Sequence, residues 1–181
     1  RLHGTPTVLV NAVGITGSGG IEDEDPATWK RILEVNLTSA YLCARQVVRG
    51  MRDAGGGKIV NVSSVAGVYS IGSSLAYIGS KAALNAITVA MARALGPAIK
   101  INAVCPGYIE SGWHRQAIGD DATDRMVSHI KKSTPLQAVN EPEDIASTVV
   151  WLLEGAPNIT GELFTIDAGM GLLRGGMPAR G

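Results

Sequence analysis

Apolar residues recur along this chain in two rhythms. Short runs rich in β-branched residues, Thr7-Val8-Leu9-Val10-Asn11, Lys58-Ile59-Val60-Asn61-Val62-Ser63-Ser64, Lys100-Ile101-Asn102-Ala103-Val104-Cys105 and Glu162-Leu163-Phe164-Thr165-Ile166-Asp167, predict four buried strands. Between them apolar positions recur at helical spacing. Asp25-Pro26 pairs an N-cap with a first-turn proline, and Trp29, Ile32, Leu33, Leu37, Tyr41, Leu42 and Val48 predict one helix from about Pro26 to Met51. A second helix carries Tyr77 through Leu95, where Gly96-Pro97 breaks the chain. A third starts at Glu141-Pro142-Glu143-Asp144 and continues through Ile145, Val149 and Leu153.

Connections are marked by glycine: Gly14, Gly17, Gly19 and Gly20 after the first run, and Gly55-Gly56-Gly57 before the second. The first cluster lacks the Gly-x-Gly-x-x-Gly order of a phosphate loop and reads as a flexible loop. Residues 112–138 scatter Trp113, His114, Ile118, Met126, Val127 and Ile130 among charges, predicting a mobile helical excursion rather than a core element. The glycine-rich tail from Gly169 to Gly181 reads as loosely ordered. Strands alternating with helices predict an α/β fold, a doubly wound parallel sheet in one domain over residues 1–181. Ligands bind such sheets at the carboxyl ends of the strands, where Asn11, Ser64 and Pro106-Gly107 fall.

Composition narrows the classes. Hydrophobic residues make up 45% and charged residues 18%, with a net charge of zero, which gives no basis for binding nucleic acid or an anionic membrane. No apolar run approaches membrane-spanning length. Cys43 and Cys105 lie in apolar contexts and read as reduced core thiols, which places the protein in the cytoplasm. His3, His114 and His129 lack ligand spacing, so a metal hydrolase is unsupported and no metal is expected.

The candidate chemistry lies between Lys58 and Lys81. Tyr77 and Lys81, four apart, share one helix face. A phenol is a poor proton donor and acceptor at neutral pH, and an ammonium beside it favours the phenolate and lowers its pKa. Ser64 ends the preceding strand, thirteen residues before Tyr77, with enough chain between to bring both to one substrate oxygen. Taken alone, the Tyr-x-x-x-Lys spacing is weak; a core tyrosine and a solvated lysine have the same sequence. Asn36, flanked by Val35 and Leu37, reads by itself as an exposed residue or a local kink. Arg45, Arg49 and Arg52 read as a solvated stripe.

Together these segments resemble the short-chain dehydrogenase/reductase family, in the family's order and over nearly the whole chain. Leu9-Val10-Asn11-Ala12-Val13-Gly14-Ile15 resembles the Asn-Asn-Ala-Gly segment after the fourth strand, and Val35-Asn36-Leu37 the segment of the catalytic asparagine. Ile59 to Ser64 resembles the strand ending in the catalytic serine, and Tyr77 and Lys81 the Tyr-x-x-x-Lys pair. Asn102-Ala103-Val104-Cys105-Pro106-Gly107 resembles the segment beside the nicotinamide.

The resemblance implies an oxidoreductase that uses NAD or NADP, with hydride passing between the nicotinamide and an alcohol or ketone carbon. It implies Tyr77 as general acid/base, Lys81 lowering its pKa and holding the ribose hydroxyls, Ser64 polarising the substrate oxygen, and Asn36 holding a water in a proton relay to Lys81. Asn11, Gly14, Tyr77, Pro106, Gly107, Ile109 and Ser111 would complete the cofactor site with Lys81, Ile109 and Ser111 lying near the carboxamide. Residues 108–138 would form a substrate lid. The helices around Trp29–Met51 and Tyr77–Leu95 would join copies into a dimer or tetramer. An oxoacyl thioester, sugar, diol or steroid substrate is compatible with the sequence, since Val65, Tyr108, Trp113 and His114 suit many pockets.

The chain departs from the family in two main respects. Its first strand corresponds to the family's fourth; the three earlier strands, the glycine-rich pyrophosphate turn and the residue that separates NAD from NADP come before that point. The functional protein is therefore expected to be longer, since this strand alone would leave an open edge. Ala12-Val13 also replaces Asn-Ala, which puts in question a hydrogen bond that pins the sheet; Ser111, where threonine is common, keeps the hydroxyl. The competing class is a non-catalytic dinucleotide-binding or assembly module on the same fold.

Overall fold

The computed structural model describes residues 4–112, 115, 116 and 119–173. Trp113, His114, Ile118 and the tail beyond Leu173 lie outside the described residues. Four strands form one parallel sheet in the order β1-β2-β3-β4: β1 Val8–Asn11, β2 Gly57–Val62, β3 Ile99–Pro106 and β4 Leu163–Ile166. The predicted doubly wound arrangement is therefore the observed one. Among the described residues β1 pairs only with β2, and Val8 and Val10 at this edge are exposed.

Helices cover both faces. α1 Pro26–Leu33 begins as predicted, with the Asp25 carboxylate accepting from the Thr28 amide at 2.8 Å. The long helix expected here is not regular. A π-turn at Glu34–Thr38 separates α1 from α2 Ser39–Asp53. α3 Ala66–Tyr69 is one turn, and α4 Leu75–Leu95 is the central helix. α5 Asp120–Ser133 buries Thr123 and Val127, so the excursion after β3 contributes to the interior, against expectation. α6 Pro142–Glu154 and a 3₁₀ turn at Met170–Leu173 complete the described elements.

Two apolar clusters sandwich the sheet. Ala44 and Met51 of α2 and Ala92 of α4 meet Ile59, Ile99 and Ile101 on one face. Ile145, Val149 and Leu152 of α6, with Ala156, meet Val60 and Val104 on the other. Alternate residues of β2 thus serve opposite layers, and each fully buried aliphatic side chain contributes about 1.5–3 kcal/mol.

Two readings need correction. Cys43 is exposed on α2, so only Cys105 is a core thiol. Trp29, Tyr41 and Leu42 are also exposed, leaving much of the apolar stripe of α1 and α2 uncovered by this chain. α4 is long and apolar enough to span a membrane by length and composition alone. It is nevertheless a core helix, because Lys81, Asn85 and Thr88 are buried along it against α1, α3 and β3.

Candidate active site

The carboxyl ends of β1, β2 and β3 open into a cleft of about 420 Å³. It is lined by Gly14, Ser64, Tyr77, Lys81, Pro106, Gly107, Ile109 and Ser111 among others, so residues spread over nearly a hundred positions converge. Asn11 and Asn36 are not on its wall. The Asn11 amide instead donates to Asn61 Oδ1 at 2.8 Å, and Asn61 donates to Thr88 Oγ at 2.8 Å. This bridge ties β1, β2 and α4 together, so the sheet is pinned by Asn11 itself despite the Ala12-Val13 change.

The π-turn carries Asn36 inward, where it is buried rather than exposed. Its Nδ2 donates to the Ile15 carbonyl at 2.9 Å and to Ser80 Oγ at 3.0 Å, and its Oδ1 accepts from the Ile15 amide at 2.8 Å. Asn36 therefore locks the loop after β1 to α4. A Cβ at Gly14 would lie 3.4 Å from Lys81 Nζ and 3.5 Å from Asn36 Oδ1, so this glycine leaves open the space that both polar groups border.

Ser64 is presented by a tight turn. Its Oγ accepts from the Ala66 amide at 3.1 Å, and Val65 N–H donates to the Pro106 carbonyl at 3.0 Å, fixing the turn to the end of β3. A Cβ on Gly67 would meet the Lys81 carbonyl carbon at 2.5 Å. Only glycine lets α3 sit backbone-to-backbone on α4, and that approach brings Ser64 to Tyr77. α4 itself starts on Ser74, whose hydroxyl accepts from the Tyr77 amide at 3.2 Å, and the Glu24 carboxylate accepts from the Ala76 amide at 3.0 Å.

The electrostatics differ from expectation. Burial pushes the Tyr77 phenol above its usual range, while a hydrogen bond with Ser64 pulls the other way. Lys81 is turned towards a backbone acceptor. Its Nζ lies 5.8 Å from the Tyr77 ring centroid and donates to the Val62 carbonyl at 2.9 Å. Burial lowers the Lys81 pKa to about 8. Behind it, Cys105 is pushed up to about 11 by burial and stays a neutral thiol.

Lys81 also tests whether the site suits a dinucleotide. The side chain is 5% exposed, borders the cleft, and gives one hydrogen bond to the described residues. Two ammonium donors remain for an acceptor entering the cleft, which is what a ribose diol presents. The nicotinamide end of NAD or NADP therefore fits the residues present.

The sequence pattern alone does not mark Asn140, Asn61 or Glu24 as site residues. Asn140 Nδ2 donates to the carbonyls of Tyr108 at 3.1 Å and Ile166 at 2.7 Å, tying the segment after β3 to the end of β4. Nothing local marks such residues, because their partners are distant in sequence.

A family model described as enoyl-(acyl carrier protein) reductase matches residues 1–171. The chain belongs to the short-chain dehydrogenase/reductase family. This is a family of NAD(P)-dependent oxidoreductases that act on alcohol and ketone groups. The chain is 38% identical over 170 residues to 2-(S)-hydroxypropyl-CoM dehydrogenase 3 of Xanthobacter autotrophicus, covering 92% of this chain and 67% of that protein. It is also 38% identical over 173 residues to the inactive 2-(S)-hydroxypropyl-CoM dehydrogenase 2 of the same organism, covering 94% and 75%. A 4-hydroxyisoleucine dehydrogenase structure complexed with NADH superimposes with a TM-score of 0.80 at 30% identity, covering 92% of this chain and 69% of that one. The chain thus spans about two thirds to three quarters of the length of these short-chain dehydrogenase/reductase relatives.

Proposed function

We propose that the protein reduces a ketone, or oxidises the corresponding secondary alcohol, with NAD or NADP as partner. The observation that carries this reading is the meeting of Ser64 and Tyr77 at one cleft with the buried Lys81 beside them. When bound, the nicotinamide supplies or accepts the hydride. Ser64 orients the substrate oxygen by hydrogen bonding. Tyr77, held protonated by burial, donates a proton to that oxygen as the carbonyl becomes an alcohol. Lys81 offers its remaining donors to the ribose hydroxyls. Asn36 holds the loop that carries Gly14 and, through the space at Gly14, lies at the end of a water relay to Lys81. Gly14, Pro106, Gly107, Ile109 and Ser111 form the walls of the nicotinamide end, with Asn11 fixing the strand behind it.

Residues 108–138 serve as the substrate lid in this reading; Tyr108, Ile109 and Ser111 on the cleft wall support that role. The exposed apolar face of α1 and α2 supports assembly into a dimer or tetramer. Two unpaired cysteines suit a reducing compartment, in keeping with a cytoplasmic enzyme.

The inactive relative, as similar as the active one, favours a second reading: a non-catalytic module on the same fold. The full set of Asn36, Ser64, Tyr77 and Lys81 favours catalysis. The test is oxidation of NADH and NADPH by the full-length protein against a panel of ketones. Steady turnover supports the enzyme; dinucleotide binding without turnover of any ketone supports the module.

A further inference from the structure

The cleft wall carries little charge. Among the described residues on its wall the one ionisable cation is Lys81, which is buried against Val62 and Tyr77. The rest of the wall around the reacting position is apolar or neutral, including Val65, Ile71, Tyr108 and Ile109. Ile71 is 53% exposed, an aliphatic side chain held open at the cleft.

The nearby guanidinium is already engaged. Arg115 contacts Glu110 at 3.0 Å, Asp124 at 2.9 Å and Asp120 at 3.4 Å. Three carboxylates thus occupy this guanidinium, and Glu110 lies in the chain between two residues of the cleft wall, Ile109 and Ser111. A carboxylate or phosphate on the substrate would lose its hydration there, and Lys81, the one cation on the wall among the described residues, is in this reading taken by the ribose hydroxyls.

We propose that the substrate is an uncharged ketone or secondary alcohol whose arm beside the reacting carbon is apolar, received by Ile71. This rests on the reading of the cleft as a carbonyl-reducing site and adds the substrate's charge and the residue that selects it. Ile71 is a suitable handle because its exposure leaves the fold little dependent on it.

The experiment compares two ketones that differ by one ester methyl, methyl 3-oxobutanoate and the 3-oxobutanoate anion, with the full-length protein and saturating dinucleotide. The neutral ester is expected to have at least a tenfold higher kcat/KM. In Ile71→Arg the ratio should fall severalfold or invert, with an unchanged thermal midpoint. Equal or greater kcat/KM for the anion in the unaltered protein would overturn the inference and leave the carbonyl-reducing reading standing. An unchanged ratio in Ile71→Arg would overturn the role of Ile71. Turnover of neither compound, nor of any other ketone, with dinucleotide bound would overturn both the site reading and the inference.

Discussion

The two halves of α4 are built to different ends. From Met91 to Leu95 the helix contributes Ala92 to an apolar cluster, with Met91 and Leu95 packed against it. From Tyr77 to Thr88 it buries four polar residues, Ser80, Lys81, Asn85 and Thr88, beside Leu84. Asn85 Nδ2 has no hydrogen-bond partner among the described residues, and Lys81 has one acceptor for three donors. Unmatched polar groups in an interior cost free energy. One helix thus carries an apolar end that stabilises the fold and a polar stretch that brings Tyr77 and Lys81 to the cleft. Changes to the first should alter stability and spare chemistry; changes to Tyr77 and Lys81 in the second should act on chemistry.

Tyr77→Phe is the strongest test on the polar side. Turnover should fall by about 10²–10⁴-fold, the usual contribution of a positioned proton donor, while dinucleotide affinity stays nearly constant. Turnover within threefold of the unaltered protein would remove Tyr77 from the mechanism. On the apolar side, Ile101→Ala deletes a fully buried side chain of the α2/α4 cluster. It should cost about 2–5 kcal/mol in denaturant unfolding and leave kcat of the folded enzyme nearly unchanged. The smallest effect is expected from Gly14→Ala. Its Cβ meets only ordinary contacts within the chain, so stability should shift by less than about 1 kcal/mol. It fills the space beside Lys81 and Asn36, and kcat/KM should drop about tenfold. A drop in stability without a drop in rate would show that this space is structural.

Much of this division was legible in the sequence. The β-branched run at 58–63, the Asp25-Pro26 start and the break at Gly96-Pro97 each have a local cause, and each falls where the structure has it. The four-residue spacing placed Tyr77 and Lys81 on one face, and strand-end logic placed Ser64 beside them. What stayed hidden depends on contact across the chain. Asn36 looked like an exposed or kinked helical asparagine; the kink exists as a π-turn, but Ile15 and Ser80 draw the side chain inside. The period of Trp29, Tyr41 and Leu42 marks an apolar face without revealing that this chain leaves it uncovered. The spacing of Tyr77 and Lys81 likewise could not show that Nζ turns to the Val62 carbonyl.

Lys81→Met tests the central claim most directly, because the two halves of the account predict opposite signs for one substitution. Folding lowers the Lys81 pKa from 10.5 to about 8, so the ammonium weakens the fold wherever it is protonated. Below pH 8 the variant should therefore be more stable than the unaltered protein, by on the order of 1–2 kcal/mol after loss of the Val62 hydrogen bond. This advantage should shrink as the pH rises from about 8 towards 10.5, where the folded lysine sheds its proton before the unfolded one does. Turnover and dinucleotide affinity should both fall at least tenfold. A variant less stable at pH 7 that kept its turnover would contradict the account, making Lys81 a structural residue.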